Sequence, residues 1–253
     1  MNRINDAFKG KKALITYLMA GDPDLETSAE YILTLQDAGA GLIEIGIPFS
    51  DPIAEGEVIQ ASSARAIGSG TNPDGVFKMV ASIKDKMRVP MVFMTYFNPV
   101  FVYGCERFFA RCAETGICGV IIPDLPFEEQ HEAKDPAKKH GIEIVTLVSP
   151  TSIDRISKIA RDAEGFIYLV SSMGVTGVRN GITSDIGSIV NEIRKVTDIP
   201  VAVGFGISSP EQASTYCATV DGIIVGSAIV DIISQHGKDA STALFDYIRT
   251  LKG

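Results

Sequence analysis

Gly41-Leu42-Ile43-Glu44-Ile45-Gly46-Ile47-Pro48-Phe49-Ser50-Asp51-Pro52 is apolar at nearly every position from Leu42 to Ile47, and one carboxylate sits in its middle. A run that is apolar on both faces and closed by proline and glycine reads as a buried strand of a parallel sheet rather than a half-exposed antiparallel one. The same kind of segment recurs along the chain. Strands are expected at Ala13–Leu18, Leu42–Ile47, Met91–Tyr96, Gly119–Pro123, Ile142–Val148, Phe166–Val170, Val201–Val203 and Gly222–Val225. Helical patterns separate them at Glu26–Ala38, Val58–Gly68 with Asp74–Lys84, Cys105–Thr115, Phe127–His140, Ile153–Arg161, Ile186–Thr197, Pro210–Cys217 and Ala240–Thr250. Eight strand–helix units in 253 residues match the count and size of a (β/α)8, or TIM, barrel. A doubly wound sheet usually has fewer strands and a glycine-rich first turn. Here that turn reads Met19-Ala20-Gly21-Asp22-Pro23 and lacks the dinucleotide fingerprint. No linker or low-complexity tract divides the chain, so one barrel domain over residues 1–253 is expected. Pro136 interrupts the fourth helical pattern, where it sits in a first turn, kinks the helix or splits it.

Composition excludes several functions. The net charge of −8 argues against a nucleic-acid surface, and Lys9-Gly10-Lys11-Lys12 reads as a solvated entry to the first strand. The N-terminus lacks an apolar signal region, and no run of about 18 apolar residues is long enough to span a membrane. The four cysteines have neither CxxC spacing nor a disulfide framework, which fits free thiols and a cytoplasmic location. The three histidines stand in polar helical or loop contexts, so neither a metal site nor a histidine-based triad is expected.

In a barrel of this type chemistry belongs at the C-terminal strand ends and in the loops that follow them. Glu44 lies in the second strand. A buried unpaired carboxylate there is costly, so it neutralises, finds a partner or carries function. Glu55 follows in the next loop, where an acid is ordinary and composition alone favours a plain surface role. Gly204-Phe205-Gly206-Ile207-Ser208 and Gly226-Ser227-Ala228-Ile229-Val230 follow the seventh and eighth strands, the second of them opening a short helix. These are the places where barrels bind phosphate, through glycine backbone N–H groups and a helix N-terminus. Gly174-Val175-Thr176-Gly177-Val178-Arg179-Asn180-Gly181 reads either as a closing lid or as a long surface loop. No lysine lies in the expected strands or at their C-terminal ends, which removes a Schiff-base aldolase.

These segments together, over essentially the full length, resemble the tryptophan synthase α subunit family. The signature is Leu42 to Pro52 followed by Ala54-Glu55-Gly56. It is supported by Gly21-Asp22-Pro23, Pro123-Asp124-Leu125-Pro126, Gly174-Val175-Thr176-Gly177, Gly204 to Ser208 and Val225-Gly226-Ser227-Ala228. The resemblance implies a lyase that cleaves indole-3-glycerol phosphate to indole and glyceraldehyde 3-phosphate by a retro-aldol step. It implies Glu44 as the principal acid/base, Glu55 beside the indole N–H, and Tyr168 near the reacting centre. It also implies Tyr17, Tyr96 and Phe205 packed around the substrate, and Thr176 in the closing loop. Gly177, Gly206, Gly226 and Ser227 would cradle the phosphate, and Asp124 would lie near the subunit-facing loops. No cofactor is implied in this chain. The implied partner is a β subunit carrying pyridoxal phosphate, in an α2β2 heterotetramer that takes up the indole for tryptophan biosynthesis. The chain departs from the family pattern in three places. Glu55 stands where an aspartate is usual, Glu57 where a proline is usual, and Tyr17 where a phenylalanine is common. Two competing readings remain: a catalytically weak allosteric subunit that mainly activates β, and a free-standing indole-releasing lyase.

Overall fold

The computed structural model describes residues 3–150, 153–170, 182–204 and 206–252. Its eight strands are β1 (Ala13–Met19), β2 (Leu42–Gly46), β3 (Met91–Met94), β4 (Ile117–Ile121), β5 (Glu143–Val148), β6 (Glu164–Val170), β7 (Val201–Gly204) and β8 (Gly222–Val225). Each pairs in parallel with the next, and β8 pairs with β1, so the sheet closes into a barrel in sequence order. The described helices are α1 (Leu25–Ala38), α2 (Glu57–Gly68), α3 (Pro73–Ile83), α4 (Phe97–Tyr103), α5 (Cys105–Thr115), α6 (His131–Lys139), α7 (Ile153–Arg161), α8 (Ile182–Arg194), α9 (Pro210–Cys217), α10 (Ser227–His236) and α11 (Ser241–Lys252). The architecture is the (β/α)8 barrel that the alternating pattern implies.

Local chemistry sets many of the boundaries. Asp24 caps α1 by accepting from Thr27 N at 2.8 Å. Asn72 and Ser209 cap α3 and α9 in the same way, each followed by a proline in the first turn, which satisfies N–H groups that have no partner inside the helix. Side chains alternate along each strand. Outward residues such as Leu18, Ile43 and Phe93 pack under the helices. Inward residues such as Ile15, Leu42, Val92, Val145, Phe166 and Ile224 fill the barrel.

A 3-10 turn at Ile4–Phe8 plugs the N-terminal mouth. A Cβ placed on Gly119 in the middle of β4, or on Gly165 near the start of β6, would lie 2.6 or 2.8 Å from Ile4 Cδ1, so these bare glycines make room for the plug.

Most boundaries differ from the sequence pattern by a residue or two, and some differ more instructively. β3 stops at Met94 because Tyr96 immediately precedes α4, a seven-residue helix the pattern does not reveal. β4 spans Ile117–Ile121, starting directly after Gly116 ends α5 in a left-handed conformation. The fourth helical pattern is split into a 3-10 turn, Phe127–Glu129, and α6, with Pro136 inside the latter. α8 begins at Ile182 rather than Ile186.

Candidate active site

The strand register builds the site. Tyr17 on β1 is aligned with Glu44 on β2, and Glu44 with Val92 on β3. Glu44 shares the inward face with Leu42, one pleat nearer the C-terminal mouth. It is 1% exposed, and among the described residues its Oε2 has no hydrogen-bond partner. Burial, and then the nearby Glu55 charge, push its carboxyl up to about 8. A low-dielectric surrounding and a like charge both disfavour the ionised form.

Glu55 lies in the loop between β2 and α2, half-buried. Burial raises its carboxyl to about 7, against the opposing effect of a hydrogen bond with Tyr96. The two acids come from a strand and a loop, yet they lie near enough for the Glu55 charge to raise Glu44. Tyr96 holds the second acid in place. Its hydroxyl oxygen accepts from Ile53 N at 3.0 Å and from Ala54 N at 2.9 Å. Those bonds occupy both acceptor positions of the phenol, and its one O–H is left for the Glu55 carboxylate.

Two more tyrosines face Glu44. Tyr17 is 4% exposed, and its hydroxyl stands over Gly46, 2.4 Å from where a Cβ would lie. Tyr168 on β6 stands over Gly204 in the same way, its hydroxyl 2.7 Å from where a Cβ would lie. Burial and the Glu44 charge push both phenols well above their ordinary range, Tyr17 also feeling Glu55.

The loops after β7 and β8 open at the same mouth. Gly206 has φ +64, Gly226 is the N-cap of α10 and Ser227 its first residue. A Cβ on Gly226 would meet the Tyr17 ring at 3.3 Å, so the α10 N-terminus and the carboxylates adjoin opposite parts of one tyrosine. First-turn N–H groups and the helix dipole suit an anion there. Thr176, Gly177 and Phe205, and the whole Gly174–Gly181 stretch, lie outside the described residues. Among the described residues no group of three or more His, Cys, Asp or Glu side chains is placed to hold a metal ion.

Sequence reasoning missed the buttress behind Glu55. Asp22, 2% exposed, accepts from Ser62 Oγ at 2.5 Å and from Arg65 Nε and Nη2 at 2.9 and 2.6 Å. Ser69 Oγ donates to Gly21 O at 3.0 Å. Ser63 Oγ bridges Phe49, accepting from its N–H and donating to its C=O. The β1–α1 loop and the Glu55 loop are thereby tied to α2. The sequence signal was the acid in Gly21-Asp22-Pro23, whose partners lie some forty residues away. Asp124, which the resemblance puts near the subunit-facing loops, accepts from Phe97 N at 2.8 Å and so caps α4.

A parallel barrel with its ionisable groups gathered at the C-terminal mouth, and the other mouth plugged, is by class a (β/α)8-barrel enzyme. The chain belongs to the tryptophan synthase alpha chain family, whose family model matches residues 4–251. It is 44% identical over 252 residues to the tryptophan synthase alpha chain of Lacticaseibacillus casei, covering 100% of this chain and 95% of the relative. It is 47% identical over 232 residues to that of Alkaliphilus metalliredigens, covering 92% and 87%. The structure superimposes on a chain of the tryptophan synthase a2b2 complex of Pyrococcus furiosus with a TM-score of 0.89 and 36% identity, covering 96% of this chain and 99% of that one.

Proposed function

We propose that this chain, acting as one barrel domain, cleaves indole-3-glycerol phosphate to indole and glyceraldehyde 3-phosphate, with Glu44 as the acid/base. The observation that carries the assignment is a fully buried carboxyl whose proton affinity reaches about 8 beside a second acid at about 7. Glu44, the more deeply buried of the two, holds its proton more tightly than Glu55, so the first negative charge of the pair falls on Glu55. Environments that separate two acids in this way divide the roles between them.

Glu44 donates its proton to indole C3, and the ring becomes an indoleninium. Glu55 carboxylate faces the positive nitrogen. Glu44, now ionised, accepts the proton of the side-chain hydroxyl next to the breaking bond. The C3–carbon bond electrons return to the ring, regenerating indole, while the hydroxyl carbon becomes the aldehyde. The ring is the electron sink, so the chemistry asks this chain for two carboxylates and a dry pocket. Tyr168 borders the reacting centre. Tyr17, Tyr96 and Phe205 enclose the substrate, and Thr176 positions the Glu55 side. Gly177, Gly206, Gly226 and Ser227 receive the phosphate.

A β subunit, bearing the pyridoxal phosphate, is the proposed partner in an α2β2 assembly located in the cytoplasm. Support comes from the likeness to the Pyrococcus complex and from the surface next to the site. Ile53, Phe101 and Val102 are 80%, 64% and 76% exposed. They flank the contact in which Tyr96, the residue preceding α4, binds the Ile53–Ala54 backbone. Large exposed apolar side chains rimming a functional mouth mark an interaction surface. A partner pressing on Ile53 or α4 acts on the loop that carries Glu55, and so shifts the population of the closed site.

The test is indole release from indole-3-glycerol phosphate, with and without a β subunit, by the wild-type chain and Glu44→Gln. The variant is expected to lose about 10²–10⁴-fold in kcat while binding glyceraldehyde 3-phosphate as the wild type does in calorimetry. Undiminished cleavage by Glu44→Gln would overturn the assignment.

A further inference from the structure

Two buried polar atoms in one layer of the barrel lack a strong partner among the described residues. One is Glu44 Oε2. The other is the Tyr17 hydroxyl, whose hydrogen bond among the described residues is to the Met19 sulfur at 3.9 Å, a weak acceptor. The two side chains come from aligned positions on neighbouring strands, and both point into the barrel. Gly46 directs the phenol, because its missing side chain leaves the space in which the Tyr17 hydroxyl stands, one pleat from Glu44 toward the mouth. At its other end the Tyr17 ring occupies space that a Cβ on Gly226 would crowd at 3.3 Å. A phenol given room by two bare glycines and aligned with an acid on the neighbouring strand is placed to donate to that acid.

We propose that Tyr17 is a positioning residue for proton transfer, its hydroxyl donating a hydrogen bond to the Glu44 carboxylate after Glu44 has given its proton to the substrate. The inference rests on the cleavage reading above. No proton leaves Tyr17: the transfer runs from the Glu44 carboxyl to carbon, and the phenol O–H then turns from the Met19 sulfur to the new negative charge. Hydrogen bonds to an ionised acceptor are about twice as strong as neutral ones, and without a donor only the positive substrate ring offsets the newly formed carboxylate in an apolar barrel. The ionisable groups facing Tyr17 are Glu44 on β2, Glu55 in the following loop, Tyr96 after β3 and Tyr168 on β6, and all act to keep the phenol protonated. The donor is therefore present throughout the working range.

Tyr17→Phe removes only the oxygen and keeps the ring. The experiment measures kcat and KM for indole-3-glycerol phosphate from about pH 6 to 9.5, a range that brackets the raised carboxyl, with the wild type, Tyr17→Phe and Glu44→Gln as full chains with saturating β subunit. For Tyr17→Phe, kcat is expected to fall about ten-fold, consistent with loss of a charge-assisted bond. The alkaline limb of the kcat profile should move to higher pH, because an ionised Glu44 without its donor holds a proton more tightly, while KM changes less than two-fold. A Tyr17 hydroxyl that only touches substrate would raise KM and leave the limb in place. A profile superimposable on that of the wild type, or a shift to lower pH, overturns the proposal. Absence of cleavage in the wild type would instead overturn the functional reading beneath it, so the two failures are distinguishable. Thermal melts of each variant keep a folding defect from passing for a change in kcat.

Discussion

Glu44 is held in the folded chain at a cost, and the sign of that cost can be measured. Its ordinary value of 4.5 rises to about 8 on burial. A carboxyl whose folded value is raised contributes stability fully below the unfolded value, and this is lost as pH climbs through the folded one. The wild type should therefore lose on the order of 4 kcal/mol between about pH 4 and pH 9 from this residue alone. Glu44→Gln does not titrate. It should match the wild type in urea unfolding near pH 4 and exceed it at pH 9, while being the poorer enzyme at both. Equal stability of the two proteins at pH 9 would mean that Glu44 ionises in the barrel without penalty. This residue was legible in the sequence because a charge inside an apolar run is too costly to persist there without a task. The Tyr96 arrangement was not. A tyrosine at a strand end carries no sign that its hydroxyl will collect the backbone of Ile53 and Ala54, more than forty positions earlier. The extra methylene of Glu55 becomes intelligible only with that contact, which the side chain reaches from a loop that is itself fastened to the phenol.

At the scale of elements, the acid that does not lie on a strand is placed by α2. Gly56 caps that helix immediately after Glu55, so the orientation of α2 sets where the carboxylate points. The orientation is fixed two turns further on, where Arg65 and Ser62 grip the buried Asp22. The Asp22 side chain is 3% exposed and that of Arg65 40%, so the pair is neither a free surface bridge nor a fully buried one. Arg65→Ala leaves the carboxylate with the Ser62 hydroxyl and is expected to cost about 2 kcal/mol in urea unfolding. It should also lower kcat more than Arg65→Lys does, since lysine keeps the charge but cannot reproduce the two-pronged geometry. Unfolding and kinetics that are unchanged in Arg65→Ala would show that α2 is positioned without the clamp. Strand placement was largely readable from apolar runs bounded by glycine and proline. α4 was not, because it is only seven residues long and carries Pro99 in its first turn, and no periodicity can accumulate over two turns.

At the scale of the whole molecule the barrel keeps its functions at opposite ends. At the mouth holding Glu44, its Oε2 and the Tyr17 hydroxyl lack strong partners among the described residues, whereas the other end is closed by apolar contact. Ile4 is 0% exposed and seats against Gly119 and Gly165. It is separated from the acids by the inward layer of Ile15, Leu42 and Val92. Sequence pattern could not show this plug, since an isoleucine in a polar N-terminal stretch acquires meaning only once the strand starts converge around it. Truncating it should therefore act on stability alone. Ile4→Ala leaves a cavity under the barrel floor that neighbouring glycines cannot fill, and core truncations of this kind cost about 2–5 kcal/mol. The expected result is a clearly lowered melting temperature with kcat and KM within two-fold of the wild type at a temperature where both remain folded. A drop in kcat at full folding would show that the inward layer transmits strain from floor to mouth. The Glu44–Tyr17 geometry would then depend on the plug, and the separation of stability from chemistry along the barrel axis would fail for this chain.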